Sequence, residues 1–266
     1  MIRSPRSAIF TAVLTAAMSA GAMLVAQPFA AAGGTVVAAT PTPPPPPAYV
    51  VGFGDSVPLG HHCGGCGTLF ELYAKSATAP GRPVTVVNFA QANSTSKDAL
   101  NTLRRSSSEA AVRKATTVVI FTGADDFKGS FSAVSRGGSA KKNFKPVEKR
   151  VESNVESMIK LVHLLNGSAH VAVLDYWAAM EDGKVAKHDY SKARLKAARE
   201  ATDYLNQGLK AAAKAQHAAY VSTYTLFKGK NGDKDPTKYL AGDGNHPNAA
   251  GMYAITAALV AALPAA

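Results

Sequence analysis

Short apolar runs rich in β-formers alternate along most of the chain with longer stretches in which apolar side chains recur every three or four positions. The runs Tyr49–Gly54, Val84–Phe89, Thr117–Thr122, His170–Asp175 and Ala219–Thr223 predict five strands. Four of them are apolar enough for burial on both faces, the condition of parallel strands. Between them, Thr68–Ser76 predicts a short helix and Lys97–Lys114 one or two more. Phe144, Val147, Val151, Val155, Ile159 and Val162 mark one face of an amphipathic helix over 144–165, and Leu195, Ala198, Leu205, Leu209 and Ala212 repeat the pattern over 190–214. A last helix spans 249–263, with Pro247 suited to its first position and Asn245 or His246 as its cap. Strands alternating with helices imply right-handed crossovers and a three-layer α/β/α sandwich around a mostly parallel five-stranded sheet. Sites in such sheets lie beyond the carboxyl ends of the strands. Ser56 follows the first strand directly, and Asn93 and Asp125 follow the second and third at the same edge.

The start of the chain carries a different signal. Arg3 and Arg6, an apolar stretch from Ala8 to about Ala26, and the small residues Ala30 to Ala32 give the charged, apolar, small-residue order of a secretory signal peptide over 1–32. The stretch is also long enough to span a bilayer, so an uncleaved membrane anchor remains open. Residues 33–47 end in five prolines, Pro43 to Pro47, which predict a stiff, extended linker. One domain, with enough chain for a substantial core, remains over 48–266.

Charge narrows the partners. Without Arg3 and Arg6, 27 of the 29 basic side chains remain against 18 acidic ones, a net +9 that favours anionic surfaces such as a cell wall. The densest basic stretch, Arg136 to Arg150, has only Phe144 to offer for base stacking, and reads as a solvated loop and helix start rather than a nucleic-acid site. The expected location is therefore secreted or wall-associated. Membrane contact is expected only through an uncleaved leader.

Candidate chemistry sits at the two ends of the domain. A serine hydroxyl is a poor nucleophile near neutral pH; it needs a histidine to take its proton and a carboxylate to fix the imidazole tautomer. Gly54-Asp55-Ser56 supplies the first and Asp243-Gly244-Asn245-His246 the other two, with Asp243 and His246 close enough to meet within one turn of chain. Each has a plainer reading: Ser56 as a turn residue and His246 as a helix cap. Cys63 and Cys66 are the only cysteines, and in an exported chain they predict a disulfide. A zinc site with His61 and His62, or a redox pair, remain the alternatives. Asp126 is expected to tie loop backbone, Trp177 to line a pocket or pack in the core, and His61 and His62 to lie in a loop near the cleft rim. The stretch from Phe127 to Asn143 is expected to shape the pocket.

Taken together, Val51-Gly52-Phe53-Gly54-Asp55-Ser56, Asn88 to Leu100, Thr122-Gly123-Ala124-Asp125-Asp126-Phe127, Asp243 and His246 resemble the SGNH (GDSL-type) hydrolases, flavodoxin-like in architecture. The resemblance implies Ser56 as nucleophile, His246 as base and Asp243 as its partner, with no metal or cofactor. It also implies an oxyanion hole built from the Ser56 N–H, a glycine after the second strand and an asparagine after the third. Here Asn93 and Asp125 stand at those last two positions. Asparagine tolerates left-handed backbone, so the Asn93 N–H can still face the site. An ionised Asp125 accepts hydrogen bonds and cannot donate one. Either the Asn93 amide takes over as donor, or a protonated Asp125 donates. The function implied is a secreted serine-dependent carboxylic ester hydrolase, esterase or lipase-like, acting through an acyl-enzyme on a lipid, aryl or acylated-sugar ester. The alternative is a weakened or inactive module of the same fold that holds acylated glycan or cell-wall polymer.

Overall fold

The computed structural model describes residues 48–263, so the expected leader over 1–32 and the linker over 33–47 fall outside the described residues. In chain order the elements are β1 (Ala48–Gly54), α1 (Leu69–Ala77), β2 (Val84–Asn88), α2 (Ser96–Leu103), α3 (Ser106–Val112), β3 (Thr117–Phe121), α4 (Lys128–Ser135), α5 (Ala140–Leu165), β4 (His170–Leu174), α6 (Gly183–Asp189), α7 (Lys192–Ala215), β5 (Ala219–Val221), α8 (Thr223–Lys228) and α9 (Ala249–Ala262). The five strands form one all-parallel sheet in the order β2-β1-β3-β4-β5. This is the flavodoxin-like order, in which the chain leaves β1 toward one edge and returns to continue on its other side.

All five expected strands are present. Burial divides them differently from the sequence reading: β1, β3 and β4 form the buried centre, whereas β2 at one edge and β5 at the other are partly open to solvent. A strand with a neighbour on one side only cannot be covered as fully as its apolar sequence allows.

Helices cover both faces of the sheet. One layer contains α1 packed on α9, and the other contains α5 packed on α7 with α2 and α4 alongside. The apolar stripe expected on α5 is buried throughout, as are Leu205, Leu209 and Ala212 of α7. Small residues let the layers approach. A side chain at Gly52 would strike Phe70 of α1, and one at Gly123 would meet Leu205 of α7 and Val151 of α5.

Two local expectations change. The stretch 127–143, expected to shape the pocket, is helical over α4 and the first turn of α5; Phe127, Phe131 and Val134 provide the buried side. α5 begins at Ala140, with Pro146 inside it. That proline is solvent-exposed, where water can satisfy the carbonyl one turn earlier. Asn248, rather than Asn245 or His246, caps α9 by accepting from the Gly251 N–H at 3.0 Å. Pro247 lies before the helix, bridged to Leu240. Among the described residues no helix is long and apolar enough to cross a membrane.

Candidate active site

Ser56 stands two residues past the Gly54 end of β1, at the start of a 3-10 turn over Val57–Leu59. The approach is tight: the Asp55 N–H donates to the Phe121 carbonyl at 3.2 Å, and a side chain at Gly54 would run into that same carbonyl. Asp55 is buried. Its Oδ1 accepts from the Val57 N–H at 3.0 Å, and its Oδ2 accepts from the Tyr176 hydroxyl. Burial pushes its carboxyl up to about 7, against the lowering effect of those two hydrogen bonds.

The loop before α9 brings the other two groups to Ser56 from across the chain. His246 Nε2 lies 2.9 Å from Ser56 Oγ, and His246 Nδ1 lies 2.6 Å from Asp243 Oδ2. With Nδ1–H donated to the carboxylate, Nε2 is the lone-pair nitrogen that faces the serine hydroxyl; this tautomer follows from the hydrogen-bond network. The other Asp243 oxygen accepts from the N–H groups of Asn245 and His246, both at 3.0 Å. Partial burial raises the Asp243 carboxyl, but the His246 ring and the two N–H groups outweigh it and hold the group below its ordinary value. The loop itself is tied by Ala241 N–H to the His246 carbonyl and by Asp182 N–H to the Gly244 carbonyl, both at 2.8 Å. Because Asn248 does the capping, His246 is free to turn into the site.

Cys63 and Cys66 are joined as a disulfide just after the serine turn, which leaves no thiolate for the zinc reading. His61 is exposed. His62, expected in a loop near the cleft rim, reaches the site itself, and its contacts there were not foreseen. Its ring stacks on His246 with centroids 4.5 Å apart and planes 18° apart, and its Nε2 lies 3.6 Å from Asp243 Oδ2. The only signal for it was its place beside the cysteine pair. Ligand atoms of His62, Asp243 and His246 fall within 4.8 Å of one another. A metal ion lies in the plane of each imidazole that binds it, and two nearly parallel stacked rings do not converge on one ion.

The loops after β2 and β3 complete the edge. Asn93 has φ 62°, the left-handed conformation expected for it. Its loop is fixed to β1 through Gln91 N–H and Ser94 Oγ, both donating to the Gly54 carbonyl at 3.0 Å. Asp126 ties backbone as expected, accepting from Ser96 N–H at 2.7 Å and Ser96 Oγ at 3.0 Å, so the β2 and β3 loops are cross-linked. Desolvation pushes the Asp126 carboxyl up, opposed by Ser96 and Arg150. Asp125 carries an ion pair to Lys128, whose ammonium also donates to Asn93 Oδ1 at 3.3 Å. Trp177 packs in the core, stacked on Phe227 at 4.5 Å.

A parallel 2-1-3-4-5 sheet with Ser, His and Asp brought together at its carboxyl edge defines an SGNH-type hydrolase fold. The chain belongs to the GDSL-like lipase/acylhydrolase family, whose model matches residues 52–254. No functionally curated protein matches the sequence. Solved structures share the fold at low identity. A lipase from a goat rumen metagenome is 18% identical, with 81% of this chain and 97% of that one covered and a TM-score of 0.63. An extracellular lipase from Streptomyces rimosus is 18% identical, with 81% and 100% covered and a TM-score of 0.59. A catalytic mutant of an acetylxylan esterase from Geobacillus stearothermophilus is 19% identical, with 80% and 92% covered and a TM-score of 0.54. Membership in a family of ester hydrolases implies an ester substrate.

Proposed function

We propose that the protein is an exported carboxylic ester hydrolase that works through an acyl-enzyme on Ser56. The observation that carries this is the unbroken line from Ser56 Oγ through the His246 imidazole to Asp243, at 2.9 Å and 2.6 Å, between residues 190 positions apart in the chain. Ser56 Oγ bonds to the ester carbonyl carbon, its proton passes to His246 Nε2, and the carbonyl π pair moves onto oxygen. Asp243 stabilises the imidazolium so formed. Collapse restores the carbonyl and breaks the bond to the alcohol, which leaves with the His246 proton. Water repeats the sequence on the acyl-enzyme and frees Ser56. The Ser56 and Asn93 N–H groups face the oxyanion, the second made available by the left-handed backbone at Asn93.

Lipid, aryl and acylated-sugar esters are the substrate classes; one structural relative is a lipase and another an acetylxylan esterase. The catalytic unit is 48–266, behind a signal segment over 1–32 and a linker over 33–47. The disulfide suits an oxidising compartment, and the net positive charge suits retention on an anionic wall. A non-catalytic module is the competing reading, favoured by a carboxylate at Asp125. A fluorophosphonate probe separates the two. Labelling of the wild type, lost in Ser56→Ala together with on the order of 10⁴-fold or more of the turnover of a nitrophenyl ester, is the expected result. A folded wild type that takes up no probe would establish the module.

A further inference from the structure

Lys128 Nζ is held between two loops at the edge where Ser56 lies. It donates to Asn93 Oδ1 at 3.3 Å and pairs with the carboxylate of Asp125. An ammonium has three N–H donors, so these contacts leave one. Asp125 is largely buried whereas the Lys128 side chain is half-exposed, so the anion is set into the loop and the cation toward the open side. Both charges lie within electrostatic reach of Asp55, the residue before the nucleophile, and act on it in opposite senses. The support beneath them is firm. Asp126 is bonded to Ser96, whose hydroxyl also accepts from Asn154 at 2.9 Å, and Phe127 and Phe131 anchor the start of α4 in the core.

Resting on the serine-hydrolase reading, we propose that Lys128 is a catalytic residue that donates to the oxyanion, with Asp125 and Asn93 holding its ammonium in place. An aspartate alone at this edge would repel the negative charge that grows on the carbonyl oxygen. The Asp125–Lys128 pair is formally neutral, as an asparagine is, and presents hydrogen rather than oxygen to the substrate. As Ser56 Oγ closes on the carbonyl carbon and its proton goes to His246, the oxygen takes the π pair and meets the Ser56 N–H, the Asn93 N–H and the Lys128 ammonium. No proton leaves Lys128 in this step. Asp125 acts through Lys128 and is a positioning residue.

The assignment makes a non-obvious demand on paired variants. Lys128→Met removes the donor and leaves Asp125 unpaired, and is expected to lower kcat on nitrophenyl acetate about a hundredfold with KM little changed. Adding Asp125→Asn supplies an amide donor, so the double variant is expected to regain at least tenfold of that loss, whereas Lys128→Met with Asp125→Ala, which removes the orphaned charge but offers no donor, is expected to stay as slow as Lys128→Met. Lys128→Gln is carried in parallel, with circular dichroism melts of each variant, so that one unfolded protein does not leave the comparison open. Turnover of the single variants within about threefold of wild type, an Asp125→Asn double variant no faster than Lys128→Met, or an Asp125→Ala one that recovers as much, overturns the proposal. Wild-type turnover that vanishes in Ser56→Ala while Lys128→Met is silent sinks only the Lys128 assignment. Wild-type turnover that survives in Ser56→Ala, or none at all, sinks the reading beneath it.

Discussion

Asp55 sits one residue before Ser56 with its carboxyl out of water, and what that does to the protein depends on pH. Burial pushes the group up to about 7 in the folded state, while the unfolded chain titrates it near the ordinary aspartate value. Between those two values the native state binds the extra proton, so the contribution of this group to stability is fully present in acid and is lost as pH rises through about 7. Asp55→Asn has no proton to lose, and its amide oxygen can still accept from Val57. It should therefore gain on the wild type by on the order of 2 kcal/mol between pH 5 and pH 8, measured by urea unfolding at both pH values. An advantage that is the same at both would show that the carboxyl is not held neutral by burial. Nothing in the sequence announces this, because the Tyr176 hydroxyl that meets Asp55 is 121 positions away. Ser56, His246 and Asp243 were legible for the opposite reason: each lies in a short contiguous block whose turn chemistry is local. His62 reaches the site only through a loop conformation that no periodicity encodes.

Elements with a full apolar face were readable, and α4, α6 and α8 were not. All five strands and the buried faces of α5 and α7 follow from their patterns. α6 has seven residues and α8 six, too few for a face to repeat. α8 instead depends on Asp175, after β4, which accepts from the Tyr224 N–H at 2.8 Å, the Tyr220 hydroxyl at 2.7 Å and the Ser222 hydroxyl at 2.8 Å. α4 was hidden by its glycine and serines. Its position relative to β3 turns on Gly123, whose φ of 125° is a backbone that side chains rarely adopt. A Cβ there would lie 2.9 Å from Leu205 and 3.0 Å from Val151. Gly123→Ala is expected to destabilise the domain by about 2 to 4 kcal/mol, the sum of backbone strain and overpacking. Because the same turn delivers Asp125, it should also slow fluorophosphonate labelling of Ser56. Denaturant midpoints and labelling rates measured on one preparation check both effects, and unchanged values of each would mean the turn tolerates a side chain.

At the scale of the whole molecule, the core and the candidate site close within one unit of chain. Ala48, the first described residue, is buried, and its N–H already donates to the Pro83 carbonyl at 3.0 Å, so sheet pairing begins where the proline run ends. Every residue used in the Ser56 chemistry falls between that point and α9. The basic excess belongs to the same unit, since the only charged side chains before residue 48 are Arg3 and Arg6. A chain of residues 45–266 should therefore melt at the temperature of the full-length protein and match its ester turnover, and it should retain any attraction to anionic wall polymer. Attraction of that origin is long-range and screened. Co-sedimentation with purified anionic wall material should fall steeply as salt rises from about 0.05 M to about 0.5 M, as the screening length shrinks toward atomic distances. A truncated chain that melts earlier would mean that residues before 45 belong to the folded unit. Binding indifferent to salt would move wall recognition from net charge to a specific pocket.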